Sequence, residues 1–168
     1  MKKQPKQKKI KEALEEKPRQ VLDLALQCVD GLSRKSSIGT LSHVVIATTC
    51  PDKLAPSLGQ MLVERYHPTF SECHVIDIVQ GCAGGVTALI LASQLASMNK
   101  SNVLVIQADA AAKATSSKKS IHRIFGNGAF ACVVRHCEES LGLLHYKSRQ
   151  YKDLSEVVTV NLGHDADA

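Results

Sequence analysis

The sequence predicts an α/β fold, a layered mixed β-sheet with helices on both faces, and three observations carry that reading. Apolar runs rich in β-branched residues recur at positions 43–49, 74–79, 102–109 and 125–134. Between or before them, apolar residues repeat at helical spacing over 21–32, 57–66 and 83–98. Glycines mark the turns into chemistry-bearing segments, Gly81, Gly84 and Gly85 at one and Gly126 and Gly128 at another. Strands that alternate with helices in this way form a sheet, largely parallel, whose faces the helices cover.

Residues 1–17 are expected to be a basic, disordered tail. Positions 1–11 hold six lysines and no acid, more than the whole net charge of +5, so the remainder is close to neutral. Pro18 suits a helix entry, and Val21, Leu22, Leu24, Ala25, Cys28, Val29 and Leu32 define one helix face that Gly31 is expected to end. The run "HVVIATT" reads as a buried strand. A loop with Pro51 and Pro56 leads to the amphipathic helix "SLGQMLVERY", stopped by Pro68. "HVIDIV" is the second strand. The helix over 83–98 is apolar on almost every side and should be buried. "NVLVIQAD" and "FGNGAFACVV" are the third and fourth strands, and "LGLLHYK" and "EVVTVN" are shorter strand candidates.

Composition removes several function classes. A chain of 168 residues with 44 % hydrophobic content supports one cored domain. No apolar run reaches the ~18 to 20 residues of a membrane span, and no signal-like apolar core follows the lysines, so a cytoplasmic protein is expected. The six cysteines, Cys28, Cys50, Cys73, Cys82, Cys132 and Cys137, include no C-x-x-C pair; reduced thiols are expected, with no metal site. With 4 % aromatic residues, there is little material for base stacking, and nucleic acid is not an expected partner.

Cys82 stands apart. It falls where a strand ends and a helix begins, and unpaired N–H groups and the helix dipole favour an anion there. A thiolate is such an anion, and the same N–H groups could hold the oxyanion formed when a thioester is attacked. Gly81 permits a sharp turn, and Gly84 and Gly85 permit close approach. A small packed core residue is the competing reading. Two other motifs fail: a hydrolase elbow needs glycine where Gln80 stands, and "GCAGG" lacks the spacing of a dinucleotide-binding turn. Asp109 ends a strand but has no such fingerprint to join.

The segment "DIVQGCAGGVTALILASQ" resembles the active-site segment of beta-ketoacyl-[acyl carrier protein] synthase III, a thiolase-fold condensing enzyme. "HVVIATT" with "APS", "NVLVIQADAAAKAT" and "IFGNGAFACVV" are similar to three further family segments, in the same order, with Asn127 where aspartate is usual. The resemblance runs from Pro18 to Val134 and more weakly to Asn161. It implies a thiolase-like half-domain at 18–150, followed at 151–168 by a tail or the start of a second half. It also implies that Cys82 takes an acyl group from acyl-CoA or acyl carrier protein, and that malonyl-carrier protein then condenses with it, without a cofactor. Lys119, Phe125 and Gly126 would lie toward the substrate, and Ala55 where relatives reach across a dimer to the partner's acyl pocket. That dimer would form through strand 74–79.

Two departures qualify those expectations. Members of the family are about twice this length, and their catalytic histidine and asparagine lie in the second half; none of His43, His67, His74, His122, His136, His145 and His164 falls in a matching motif. The family's first strand, central in its half-sheet, is replaced here by the lysine tail, which should leave two exposed strand edges. Three readings follow: a condensing enzyme incomplete as this chain; a non-catalytic partner subunit or inactive remnant; or an acyltransferase that captures acyl groups without decarboxylation.

Overall fold

The computed structural model describes residues 20–111, 125–138 and 142–153. Helix α1 (Val21–Lys35) leads into strand β1 (Leu41–Thr48), helix α2 (Leu58–Arg65) and strand β2 (His74–Val79). A 3-10 turn (Gly81–Ala83) follows, then helix α3 (Gly84–Asn99), strand β3 (Asn102–Ala110) and strand β4 (Asn127–Val134). The strands form one sheet in the order β2-β1-β3-β4; β1 is parallel to both neighbours, and β4 is antiparallel to β3.

The gap expected from a missing central strand does not exist. β1 and β3 pair directly, from His43 opposite Val103 to Ala47 opposite Gln107, with one irregularity between Leu41 and His43. The physical reason lies in their composition. Val44, Val45 and Ile46 of β1 and Val103 to Ile106 of β3 are buried whichever face they point to. Backbones so deeply placed need partners along both edges.

Side chains alternate between the faces with the strand period of two. Val44, Ile46, Leu104 and Ile106 pack under α1 and α2 against Val21, Ala25, Val29, Leu58 and Leu62. Val45, Ala47, Val103 and Val105 pack under α3 against Ala88, Ala92 and Ala96. Helices on both faces of a mixed sheet are what the sequence predicts.

Three local expectations change. α1 runs through Gly31 to Lys35, because a mid-helix glycine costs only about 1 kcal/mol and Arg34 and Lys35 suit the helix's negative end. α3 is buried on one side only: Gly84, Gly85, Ala88, Ala92 and Ala96 face the sheet, while Val86 and Met98 are 62 % and 73 % exposed. Gly81–Asn99 reaches the length and apolar composition of a membrane-crossing helix by those two measures alone, and its small-residue side is packed on the sheet. Residues 142–153 contain no strand. Leu143, Leu144 and Tyr146 lie instead beside Ser93 and Met98 of α3, and Gln94 Nε2 donates to the Tyr146 hydroxyl at 3.4 Å. The candidate strand at 156–161 lies outside the described residues.

Candidate active site

Three parallel strands deliver their C-terminal ends to one rim of the sheet, the usual place for a ligand crevice in α/β proteins. At β2 the chain leaves through Gln80 (φ −135°, ψ 26°). Gly81 then adopts φ +58°, a left-handed conformation that favours glycine. The turn closes with the Gly84 N–H donating to the Gly81 carbonyl. Cys82 is therefore carried on a 3-10 turn just ahead of α3, not in its first α-helical turn, and it is exposed.

Beside it opens a depression of about 810 Å³, lined among others by Thr49, Gln80, Cys82, Gln107, Asp109 and Phe125. One carboxylate fixes its far wall. Asp109 Oδ1 accepts the Thr49 N–H at 2.6 Å and the Thr48 hydroxyl at 3.2 Å, while Thr48 Oγ1 accepts the Cys50 N–H at 3.3 Å. The loop leaving β1 is thus tied to the end of β3. Burial pushes the Cys50 thiol up, and the Asp109 charge adds to that, so this neighbour is held protonated.

Asp77 performs a similar role on the other side of the sheet. Its carboxylate accepts the Ser57 hydroxyl at 2.6 Å and the Gly59 N–H at 2.8 Å, at the start of α2, where N–H groups lack helical partners. Ser57 and Gln60 complete a reciprocal capping box. At the other end of the same loop, Asp52 Oδ2 accepts the Leu22 N–H of α1 at 3.0 Å.

Gly85 and Gln107 fit each other. A Cβ at Gly85 would overlap the Gln107 side-chain amide, so the glycine makes room for a polar group beneath the start of α3. Along β3 the residues facing α3 run Val103, Val105, Gln107, Asp109: apolar under the helix, polar beneath the cysteine turn.

Of the residues singled out in the sequence, Cys82 and Phe125 line the depression, and Gly126 follows Phe125 with open space around its α-carbon. Ala55 is exposed in the loop before α2 and is not part of the lining. Lys119 and His122 lie outside the described residues. None of the described histidines lines the depression, and no three His, Cys, Asp or Glu side chains among the described residues cluster as metal ligands. Thr49, Gln80, Gln107 and Asp109 were not singled out as site residues. The period-two run of polar residues at the end of β3 was the signal that could have found two of them.

Known proteins extend this picture. Residues 76–151 match the family model of 3-oxoacyl-[acyl-carrier-protein (ACP)] synthase III. Beta-ketoacyl-[acyl-carrier-protein] synthase III of Clostridium beijerinckii is 30 % identical over 122 residues, covering 71 % of this chain and 37 % of that protein. The enzyme of the same name from Staphylococcus aureus is 29 % identical over 109 residues, covering 64 % of this chain and 34 % of that protein. Among solved structures, a 3-oxoacyl-(acyl-carrier-protein) synthase III superposes with a TM-score of 0.67 at 30 % identity, over 74 % of this chain and 38 % of that one. The Thermus thermophilus synthase III superposes with a TM-score of 0.66 at 27 % identity, over 73 % and 38 %. The chain thus spans little more than a third of the length of these relatives. Over that shared portion the chain is similar, in sequence and in fold, to 3-oxoacyl-[acyl-carrier-protein] synthase III.

Proposed function

We propose that this chain carries the acyl-accepting site of a synthase III-like condensing enzyme of fatty acid or polyketide biosynthesis. The observation that supports this most is Cys82 itself: an exposed cysteine on a glycine-bent turn ahead of an apolar helix, over an open depression. The thiolate of Cys82 attacks the carbonyl of an acyl-CoA or acyl-carrier thioester. The carbonyl oxygen becomes an oxyanion held by backbone N–H groups of the turn, Cys82's own among them. Collapse expels the CoA or carrier thiolate, which takes a proton from solvent, and leaves the acyl group on Cys82 as a new thioester. Condensation with malonyl-carrier protein needs a stabiliser for the developing enolate, and no described histidine stands at the depression to provide it. Acyl capture is therefore the step assigned to these residues, with condensation dependent on further groups. In this reading Phe125, Gly126 and Lys119 lie toward the substrate, and β2 pairs with a second copy.

Intact mass after incubation with acetyl-CoA tests the reading. One acetyl adduct, absent from Cys82→Ala, is expected. Its absence from a chain shown by circular dichroism to be folded would favour the second reading, a non-catalytic subunit. That alternative draws on the exposed apolar side of α3, which is shaped for contact rather than for water.

A further inference from the structure

We infer that Gln107 is a specificity-determining residue that favours short acyl groups bearing a hydrogen-bonding oxygen, such as a hydroxyl, over plain hydrocarbon chains. The inference rests on the acyl-capture reading of Cys82 and goes beyond it to the kind of acyl group taken.

Four observations converge on this side chain. Gln107 is the first polar residue on the α3-facing side of β3, after Val103 and Val105. Its amide lies against the backbone of Gly85, where any Cβ would collide with it. It lines the same depression as Cys82. Its neighbour on that strand face, Asp109, has its Oδ1 engaged by Thr48 and Thr49, whereas no hydrogen bond engages the Gln107 amide among the described residues.

A primary amide offers two donors and a carbonyl acceptor. In the free protein water reaches these atoms, since no side-chain polar atom among the described residues is both buried and unpartnered; a ligand that displaces the water must replace its hydrogen bonds or lose free energy. A purely hydrocarbon acyl chain in the depression would strip water from that amide and return nothing. A hydroxyl can both donate to Oε1 and accept from Nε2. Discrimination of this kind follows from the partner left unpaired when the wrong substrate binds. The space at Gly85 also has a meaning here, because it lets the amide lie beneath the start of α3, on the cysteine side.

The test compares acylation rates of Cys82 by 3-hydroxybutyryl-CoA and butyryl-CoA, read by intact mass on the full chain, with iodoacetamide labelling of Cys82 as the measure of thiol accessibility. The wild type should favour the hydroxylated thioester by roughly three- to tenfold, the range one net hydrogen bond provides. Gln107→Leu, similar in size and without the amide, should remove or invert that preference while Cys82 still reacts with iodoacetamide. Gln107→Asn, which withdraws the amide by one methylene, should retain part of it and serves if the leucine variant does not fold. Equal rates in the wild type, or a preference that survives in Gln107→Leu, would overturn the assignment and leave acyl capture standing. No acylation by either thioester, with iodoacetamide still labelling Cys82, would overturn both.

Discussion

At the scale of single residues, Cys82 is set apart by its surroundings. Burial pushes the thiols of Cys28, Cys50, Cys73 and Cys132 up, with the Asp109 charge adding at Cys50 and the Glu72 charge at Cys73. Cys82 and Cys137 are the two exposed ones. Limited iodoacetamide treatment followed by peptide mass mapping should therefore mark these two first and the four half-buried, raised-pKa thiols more slowly; labelling of Cys28 or Cys132 as fast as Cys82 would contradict the packing described. A second test concerns Gly85. Gly85→Ala forces a Cβ into the Gln107 amide; because the colliding atoms are the far end of a flexible side chain that can swing aside, the cost should sit at the low end of overpacking, about 1 kcal/mol. In urea unfolding, adding Gln107→Ala should recover most of the loss, a coupling that two independent sites would not show. Cys82 was legible in the sequence because its glycines announce a bent turn. Gln107 was less so: with Asp109 it keeps the strand's period of two, but nothing in that run says that a glycine of α3 makes room for its amide.

At the scale of elements, the capping of α2 and the pairing of β1 with β2 each carry a measurable consequence. Asp77 receives two hydrogen bonds at the start of α2. Asp77→Ala should therefore lower stability by about 1–3 kcal/mol, since it strands a buried-side hydroxyl and an N–H, with Asp77→Asn losing less because it keeps an acceptor. The measurement is a denaturant midpoint, and equal losses for the two variants would deny the role of the carboxylate oxygens. At the opposite end of the sheet from Cys82, His43 and His74 are paired in register with ring centroids 5.6 Å apart. Burial, and then the charge of His74, lower the pKa of His43 below its usual 6.5. The unfolded chain therefore binds a proton at His43 before the folded one does. Stability from this source is full above about pH 7 and declines as pH falls through 6.5 toward the folded value. His43→Gln should flatten that part of the stability profile; an unchanged slope between pH 7 and 5 would remove His43 from the account. The helix α2 could be read in advance because Ser57 and Gln60 stand at capping-box spacing. The end of α1 could not, because Gly31 costs too little to stop a helix whose Val29 is anchored in the core and whose last turn carries Arg34 and Lys35.

For the whole molecule, sheet order and surface are the two properties that only the assembled chain reveals. The resemblance led to an open gap where a central strand is missing, yet β1 and β3 close on each other. Composition alone shows that both strands are apolar on both faces; it does not name the partner each will find. The surface is a consequence of α3. Its inward stripe is glycine and alanine, which brings the helix close to the sheet, and its larger apolar residues are turned outward, with Val86 62 %, Leu89 40 % and Met98 73 % exposed. A helix that is apolar all round is stable when both sides are covered. Water on the outer side leaves an apolar patch that drives contact with other surfaces. The purified chain should consequently associate as its concentration rises, seen as a shift to larger species in sedimentation velocity. Replacing Val86, Leu89 and Met98 together by glutamine should suppress that shift without loss of helical circular dichroism, because none of the three belongs to the buried stripe. Cys82 labelling by iodoacetamide should stay unchanged, since these side chains are absent from the lining of the depression. A wild-type chain that sediments as a single small species at every concentration would show that the outward face of α3 tolerates water, and would remove the contact surface on which the non-catalytic reading depends.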